Sequence, residues 1–126
     1  MVLRFRAMDA AGALADLTEV SAQIEGAVLA EADGTVLSST FPEDRAGTEI
    51  ARTAVELLAA ADAVRPNAEE GVVQLQAAIP DGSVFVARSG QHLVAAITHP
   101  DPTAGLVFYD LRTCLRMLGE EGDGEA

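Results

Sequence analysis

Apolar residues recur at spacings of three and four in three stretches of the chain, a pattern that predicts amphipathic helices. In the first stretch, Asp9 is a suitable N-cap and Gly26 a suitable stop. Its apolar face consists of Leu14, Leu17, Val20 and Ile24. We therefore expect a first helix that begins after Asp9 and ends before Gly26, while residues 2–6 fit either an extra strand or the start of this helix.

The second helical stretch begins at residues 41–44, where acidic side chains favour a helix N-terminus, and ends at residues 65–67. Its apolar stripe consists of Ile50, Ala54, Leu57, Leu58, Ala61 and Val64. Four charged residues lie off that stripe at spacings that make them neighbours across one turn, namely Arg45, Glu49, Arg52 and Glu56. This stretch therefore predicts a helix with one buried and one charged side.

A third helix is expected from Asp101 and Pro102, because proline favours the first helical position. Its apolar face repeats at Leu111, Leu115 and Leu118, and Gly119 is expected to end it. Residues 119–126 then form an acidic tail that we expect to be disordered. Residues 1–118 are expected to form a single domain.

Between the helices, short apolar and alternating runs predict five strands. Residues 27–30 and 35–39 flank an Asp-Gly pair at Asp33, a strong hairpin signal. Residues 72–79 alternate with one polar face, which is typical of a strand near a sheet edge. Residues 83–88 and 92–98 follow after tight turns, and the last run is apolar on both faces, which places it in the middle of the sheet.

The resulting order is helix, two strands, helix, three strands, helix. Tight hairpins force antiparallel neighbours, so the pattern predicts an α/β (α+β) fold and not a doubly wound nucleotide-binding sheet.

The composition and charge of the chain disfavour several classes of partner. The chain has 126 residues, nearly half of them apolar, and a net charge of −12. All of its basic residues are arginines, scattered along the sequence, so nucleic acid and anionic membranes are disfavoured as partners. No apolar run is long enough to cross a bilayer or to form a signal peptide, and we expect a cytoplasmic protein without membrane insertion.

Familiar catalytic and cofactor motifs are missing from the sequence. A chain without lysine cannot supply the lysine of a phosphate-binding P-loop, and no Gly-x-Gly-x-x-Gly, Cys-x-x-Cys or His-Glu-x-x-His motif is present. Cys114, the single cysteine, fits a buried position on the third helix better than a reactive thiol. We therefore expect no enzyme activity, no catalytic residues, no bound metal and no cofactor.

Three weaker pairs of residues have ordinary structural explanations. His92 and His99 lie near opposite ends of one strand, too far apart to share a metal ion. Ser89 and His92 bracket a tight turn and lack the Gly-x-Ser-x-Gly elbow of a nucleophile. Asp33 and Asp81 each belong to an Asp-Gly turn.

The order of elements, together with residues 24–37, resembles the roadblock / dynein light-chain family. In those residues a helix leads into a glycine, an apolar strand and an Asp-Gly hairpin. The alanine-rich second helix, the strands between Gly82 and Thr98 and the closing helix from Gly105 also fit, so the resemblance covers residues 9–118. It implies a three-layer α/β/α sandwich with a five-stranded antiparallel sheet.

The resemblance also implies a function. Roadblock domains dimerise through the second helix and third strand, and bacterial members regulate or recruit Ras-like small GTPases. By this resemblance, the dimer interface would include Ile50, Ala54, Leu58, Val72, Gln74, Leu75 and Gln76. The surface that contacts the GTPase would include Arg45, Glu49, Arg52 and Glu56.

The leading hypothesis is therefore a cytoplasmic, bacterial, non-catalytic homodimer that acts in signalling by stimulating a Ras-like GTPase or serving as its scaffold. A structural adaptor similar to the dynein light chains is one alternative, although a lysine-free, alanine-rich chain suggests a bacterial genome. A small-ligand sensor of the PAS or GAF type is another. It would need an internal pocket, which a core poor in aromatic residues makes less favourable.

Overall fold

The structure, a computed structural model, describes residues 9–66 and 71–123. The predictions for residues 2–6, for Asn67 at the end of the second helix and for residues 124–126 of the tail lie outside the described residues.

Three helices and five strands follow one another in the predicted order. They are α1 (Ala10–Val20), β1 (Ile24–Glu31), β2 (Val36–Ser39), α2 (Asp44–Asp62), β3 (Gln74–Ile79), β4 (Gly82–Ser89), β5 (His92–Thr98) and α3 (Ala104–Asp123). The strands form one sheet in the order β2-β1-β5-β4-β3, and all neighbours are antiparallel. The predicted fold class is confirmed, and the run with two apolar faces is the central strand, as predicted.

The two faces of the sheet bury separate apolar clusters because successive side chains on a strand point to opposite sides. Phe85 and Val94 lie on the side covered by α1 and α3, whereas Val86 and Leu93 lie on the side covered by α2. Phe85 also makes an edge-to-face contact with Phe108 of α3, with ring centroids 4.9 Å apart. The sheet is therefore the middle layer of an α/β/α sandwich.

The two outer layers cover different widths of the sheet. Helices α1 and α3 pack side by side over one face, whereas α2 alone packs on β1, β2 and β5 on the other. Five strands at about 4.8 Å spacing span roughly 19 Å between the outermost axes, and one helix is about 10 Å wide. The α2 face over β3 and β4 is therefore only partly covered.

The end of the first helix differs from the prediction. Helix α1 ends at Val20, which is 62% exposed, and Ser21 caps it by donating its backbone N–H to the carbonyl of Leu17. Ile24, predicted on the helix, is instead the first residue of β1. The prediction was wrong because an apolar residue four positions after Val20 continues the helical period even where the chain has already changed direction.

The other two helices also differ at their ends. Helix α2 ends at Asp62, so Val64 lies beyond it and is 78% exposed. Helix α3 begins only at Ala104, because Asp101 adopts a left-handed backbone with φ of 60° that cannot continue into a helix. It runs through Gly119 to Asp123, so Gly119 is not its end and residues 119–123 are helical. A glycine within a helix lowers its stability by about 1 kcal/mol relative to alanine. Neighbouring residues that favour the helix can offset this loss.

The turn between β3 and β4 depends on a close backbone approach. Asp81 has φ of 66°, and the following Gly82 pairs with Ile79 across the turn. A Cβ atom on Gly82 would collide with the carbonyl oxygen of Thr98 on β5. Because that oxygen belongs to a backbone, it cannot move aside as a flexible side chain would.

We therefore predict that Gly82→Ala lowers the free energy of unfolding by about 1–3 kcal/mol, the usual cost of overpacking. Gly105→Ala is the matched control, since a Cβ atom there meets nothing within 4 Å. The control should leave stability unchanged or raise it by up to about 1 kcal/mol. Urea denaturation followed by circular dichroism measures both, and equal midpoints for the two variants would contradict the prediction.

Candidate functional site

Strand β3 forms an open edge of the sheet, and its register shows which backbone groups point outward. The N–H of Arg88 donates to the carbonyl of Val73 at 2.8 Å, and Leu75 pairs with Val86 in the same register. Backbone groups alternate in an antiparallel ladder, so those of Gln74, Gln76 and Ala78 point away from β4. These outward groups have no strand partner among the described residues.

An apolar surface lies beside this edge on the α2 side of the sheet. Its members are half-buried or exposed residues of the sheet and of one side of α2, and we call them the β3–α2 patch: Leu75, Ala77, Ile79, Val84, Ile97, Ile50 and Leu57. Val84 and Ile97 pair across β4 and β5, and Leu75 and Val84 pack against the α2-side cluster. The patch is continuous with the open backbone edge, an arrangement that suits strand addition by another chain.

The residues expected at a dimer interface divide into two groups. Ala54 and Leu58 are 1% and 2% exposed and lie in the subunit's own core, between α2 and the sheet. Their assignment to an interface is corrected, because almost no surface remains on them for a partner. Ile50, Val72 and Leu75 are half-buried at the margin of that core.

The two glutamines expected at the interface are exposed on β3, with side chains on the opposite face from the β3–α2 patch. Gln74 pairs with Ala87 and accepts a 2.8 Å hydrogen bond from Arg112 of α3. Gln76 pairs with Phe85. Their side chains therefore border α3, while their backbone groups form the open edge.

The predicted partner residues form an exposed charged row on α2. Arg45 and Glu49 make an ion pair of 3.4 Å, and Arg52 and Glu56 are also exposed. Residues on an α-helix advance by about 100° each, which places the row roughly 80–160° around the helix from Ile50 and Leu57. The structure therefore brings the four charged residues together and separates them from the β3–α2 patch.

Sequence reasoning missed one polar contact that positions this site. Asp62, the last residue of α2, accepts a 2.6 Å hydrogen bond from the N–H of Val72 and two from Arg88 of β4 at 3.0 and 3.1 Å. The hydrogen bond from Val72 and the guanidinium of Arg88 hold the pKa of the Asp62 carboxyl below its usual 3.8. This contact joins the end of α2 to the chain just before β3.

We predict that Asp62→Asn destabilises the protein at neutral pH and that the difference shrinks in acid. A carboxyl whose pKa is lower in the folded state stabilises the fold above its unfolded value of 3.8, and this contribution is lost as pH falls through the folded pKa. Thermal midpoints of both proteins at pH 7 and pH 3 measure the change. A difference that is as large at pH 3 as at pH 7 would contradict the electrostatic explanation.

The histidines and the other potential metal ligands of the described residues do not cluster. They include no group of three or more His, Cys, Asp or Glu placed to hold a metal ion. His99 instead pairs with Glu25 at 2.7 Å, while Ser89 and His92 face each other across the turn at Gly90. Thus neither histidine forms a site with the other.

The thiol of Cys114 is buried, as expected. Burial and the nearby Asp16 raise the pKa of this thiol to about 12. It contacts the carbonyl of Ala13 at 3.7 Å. At neutral pH it is therefore a protonated packing group of the α1–α3 layer and not a nucleophile.

Several hollows on the surface of the described residues are open to solvent. One of them, of about 610 Å³, lies around Asp62, Arg88 and Gly90 and adjoins Gly71. In the chain, Gly71 follows residues 67–70, which lie outside the described residues. Across residues 9–66 and 71–123, no helix combines the length and apolar character that a membrane span needs.

Comparisons with known proteins agree with this architecture. Residues 11–99 match the profile of the Roadblock/LC7 domain. A Roadblock/LC7 domain from Streptomyces avermitilis superposes with a TM-score of 0.78 at 17% identity, covering 91% of this chain and 97% of that one. Myxococcus xanthus MglB superposes with a TM-score of 0.78 at 14% identity, covering 99% and 97%.

A third solved structure, the gliding protein MglB from Thermus thermophilus, gives a TM-score of 0.74 at 17% identity, covering 93% of this chain and 90% of that one. No curated protein sequence matches the chain. At these identities the superpositions establish the fold, while the profile match establishes the family.

The α/β/α architecture with an open edge at β3 places the chain in the same fold class as these solved structures. More specifically, the chain belongs to the Roadblock/LC7 domain family.

Proposed function

We propose that the protein is a cytoplasmic, non-catalytic homodimer that regulates or recruits a Ras-like small GTPase. The observation that carries the proposal is the β3–α2 patch, which joins an open backbone edge to an apolar surface left uncovered by α2. Membership in the Roadblock/LC7 family supports the choice of a GTPase as the partner.

The open edge favours a second copy of this chain as the dimer partner. The outward backbone groups of Gln74, Gln76 and Ala78 are spaced to pair with an antiparallel copy of β3, which would extend the sheet across a two-fold axis. The same operation would bring two β3–α2 patches together and remove their apolar side chains from water. An edge without lysine or an internal proline lacks the usual protection against such pairing.

The charged row on α2 is the proposed contact for the GTPase. If the apolar sides of two α2 helices face each other across the axis, the row of Arg45, Glu49, Arg52 and Glu56 stays on the outside of each helix. Two copies of the row would then flank the axis. Exposed charges of this kind contribute mainly to association rate and partner selection.

We predict that light scattering gives a mass of twice 13.0 kDa for the native protein and 13.0 kDa for Gln76→Pro. Proline at position 76 removes an N–H that points outward, so the ladder to β4 keeps its hydrogen bonds while pairing with another edge strand is blocked. Circular dichroism checks that the variant is folded.

Gln76→Thr is the matched control, because it changes the side chain and keeps the backbone N–H. It should remain a dimer. A native protein that is monomeric at high concentration, or a dimer that persists in folded Gln76→Pro, would overturn the proposed edge pairing.

We further predict that a Ras-like GTPase from the same genome binds the protein with an affinity that depends on its nucleotide. Arg45→Glu/Arg52→Glu should weaken binding by roughly 5–25-fold, since an exposed charge pair contributes up to about 1 kcal/mol. Arg116→Glu on α3 is the control and should bind as the native protein does. Calorimetric titration with GTP-analogue-loaded and GDP-loaded GTPase gives the affinities.

Single-turnover GTP hydrolysis, measured with and without the protein, distinguishes stimulation from recruitment. Equal binding of both nucleotide states would favour a structural adaptor over a regulator. Absence of binding to every Ras-like GTPase of the genome would overturn the proposed function while leaving the dimer test unaffected.

A further inference from the structure

A second apolar surface lies on the opposite side of the sheet, in a groove between α1 and α3. The groove has a volume of about 210 Å³, and its lining comes from α1 residues Asp16, Leu17 and Val20 and α3 residues Tyr109, Asp110, Thr113 and Cys114. Val20 is 62% exposed and Tyr109 is 58% exposed. Leu106, 57% exposed, lies one turn before Tyr109 on α3 and extends the apolar surface.

The charge of the groove is negative. Asp16 and Asp110 line it, one from each helix. The nearby arginines of α3 have other contacts: Arg112 donates to Gln74 of β3, and Arg116 donates to Thr113 at one end of the groove at 3.3 Å. An occupant that fits this surface carries apolar side chains with arginine or lysine beside them.

We propose that residues 2–6 of the same chain dock in this groove. They read Val-Leu-Arg-Phe-Arg, with Leu3 and Phe5 alternating with Arg4 and Arg6. The apolar pair matches the exposed Val20 and Tyr109, and the two arginines match Asp16 and Asp110. A chain of net charge −12 has only eight basic residues, and two of them lie in this short segment.

The segment is close enough to reach the groove. It precedes Asp9, the N-cap of α1, while Asp16 and Val20 lie about 10–17 Å further along that helix at 1.5 Å per residue. Phe5 is four residues from Asp9 and Leu3 is six, which allows about 13–20 Å of extended chain. A segment that turns back along α1 therefore reaches the groove with both apolar side chains.

Attachment to α1 makes weak contacts sufficient for docking. A short tether gives the segment an effective concentration on the order of millimolar at the groove. Free peptide should therefore bind far less completely than the attached segment at micromolar concentrations. Each reversed charge should weaken docking by up to roughly fivefold, the upper range for an exposed ion pair.

The scarcity of aromatic residues makes tyrosine fluorescence a direct readout of docking. Tyr109 is the only tyrosine and the chain has no tryptophan, so tyrosine emission of the protein reports this groove. We expect removal of residues 1–6, which leaves Asp9 and α1 intact, to raise acrylamide quenching of Tyr109 by roughly twofold, because docking would cover an exposed ring. Adding a synthetic peptide of residues 1–8 at millimolar concentration should reverse the increase.

Exchanging the charges of the segment and the groove tests whether the arginines pair with the aspartates. Arg4→Asp/Arg6→Asp should raise acrylamide quenching as the truncation does, and combining it with Asp16→Arg/Asp110→Arg should restore protection. Arg45→Asp/Arg52→Asp, on the other side of the sheet, is the matched control and should leave quenching unchanged. Neutral acrylamide is the quencher here because these variants alter the local attraction of iodide.

Three results would overturn the proposal. The first is equal quenching in the full chain and in the folded truncated chain. The second is charge reversal at Arg4 and Arg6 that the exchanged groove does not rescue. The third is protection of Tyr109 that disappears on dilution while the dimer mass persists, which would assign the groove to a segment of another molecule.

Discussion

The width of the sheet relative to its helices is the constraint on which the rest of the structure depends. Two helices cover the face that contains Phe85, whereas α2 alone must cover the face that contains Val86. One helix of about 10 Å cannot cover a sheet of roughly 19 Å. Because α2 packs on β1, β2 and β5, the uncovered part falls at β3 and β4, beside the one long edge of the sheet.

The domain has two different surfaces, one on each side of the sheet. The β3–α2 patch combines apolar side chains with outward backbone groups, so it suits a partner that supplies a strand. The α1–α3 groove has no free backbone edge and joins apolar groups to Asp16 and Asp110, so it suits a short basic segment. The core separates the two surfaces, and a substitution on one can therefore be made without altering the other.

Local patterns predicted the element order, the central strand and the open edge. His92–Thr98 was placed correctly because apolar residues on both faces of a strand require cover on both sides.

Ile24 was misplaced because helical spacing persists across the α1–β1 junction. Ala54 and Leu58 were misassigned to an interface because a helical stripe does not reveal whether it packs on its own sheet or on another subunit. The Asp62–Arg88 contact joins residues 26 positions apart and leaves no local signal.

That contact has a consequence for the thermodynamics of association. Asp62 fixes Val72 and Arg88 to the end of α2, so the edge strand and the helix are held in one arrangement while the subunit is alone. Ordering a mobile strand during assembly would oppose binding through lost conformational entropy. In the proposed dimer, that loss would belong to the folding of each subunit, and more of the free energy from burying the β3–α2 patch would remain available for affinity.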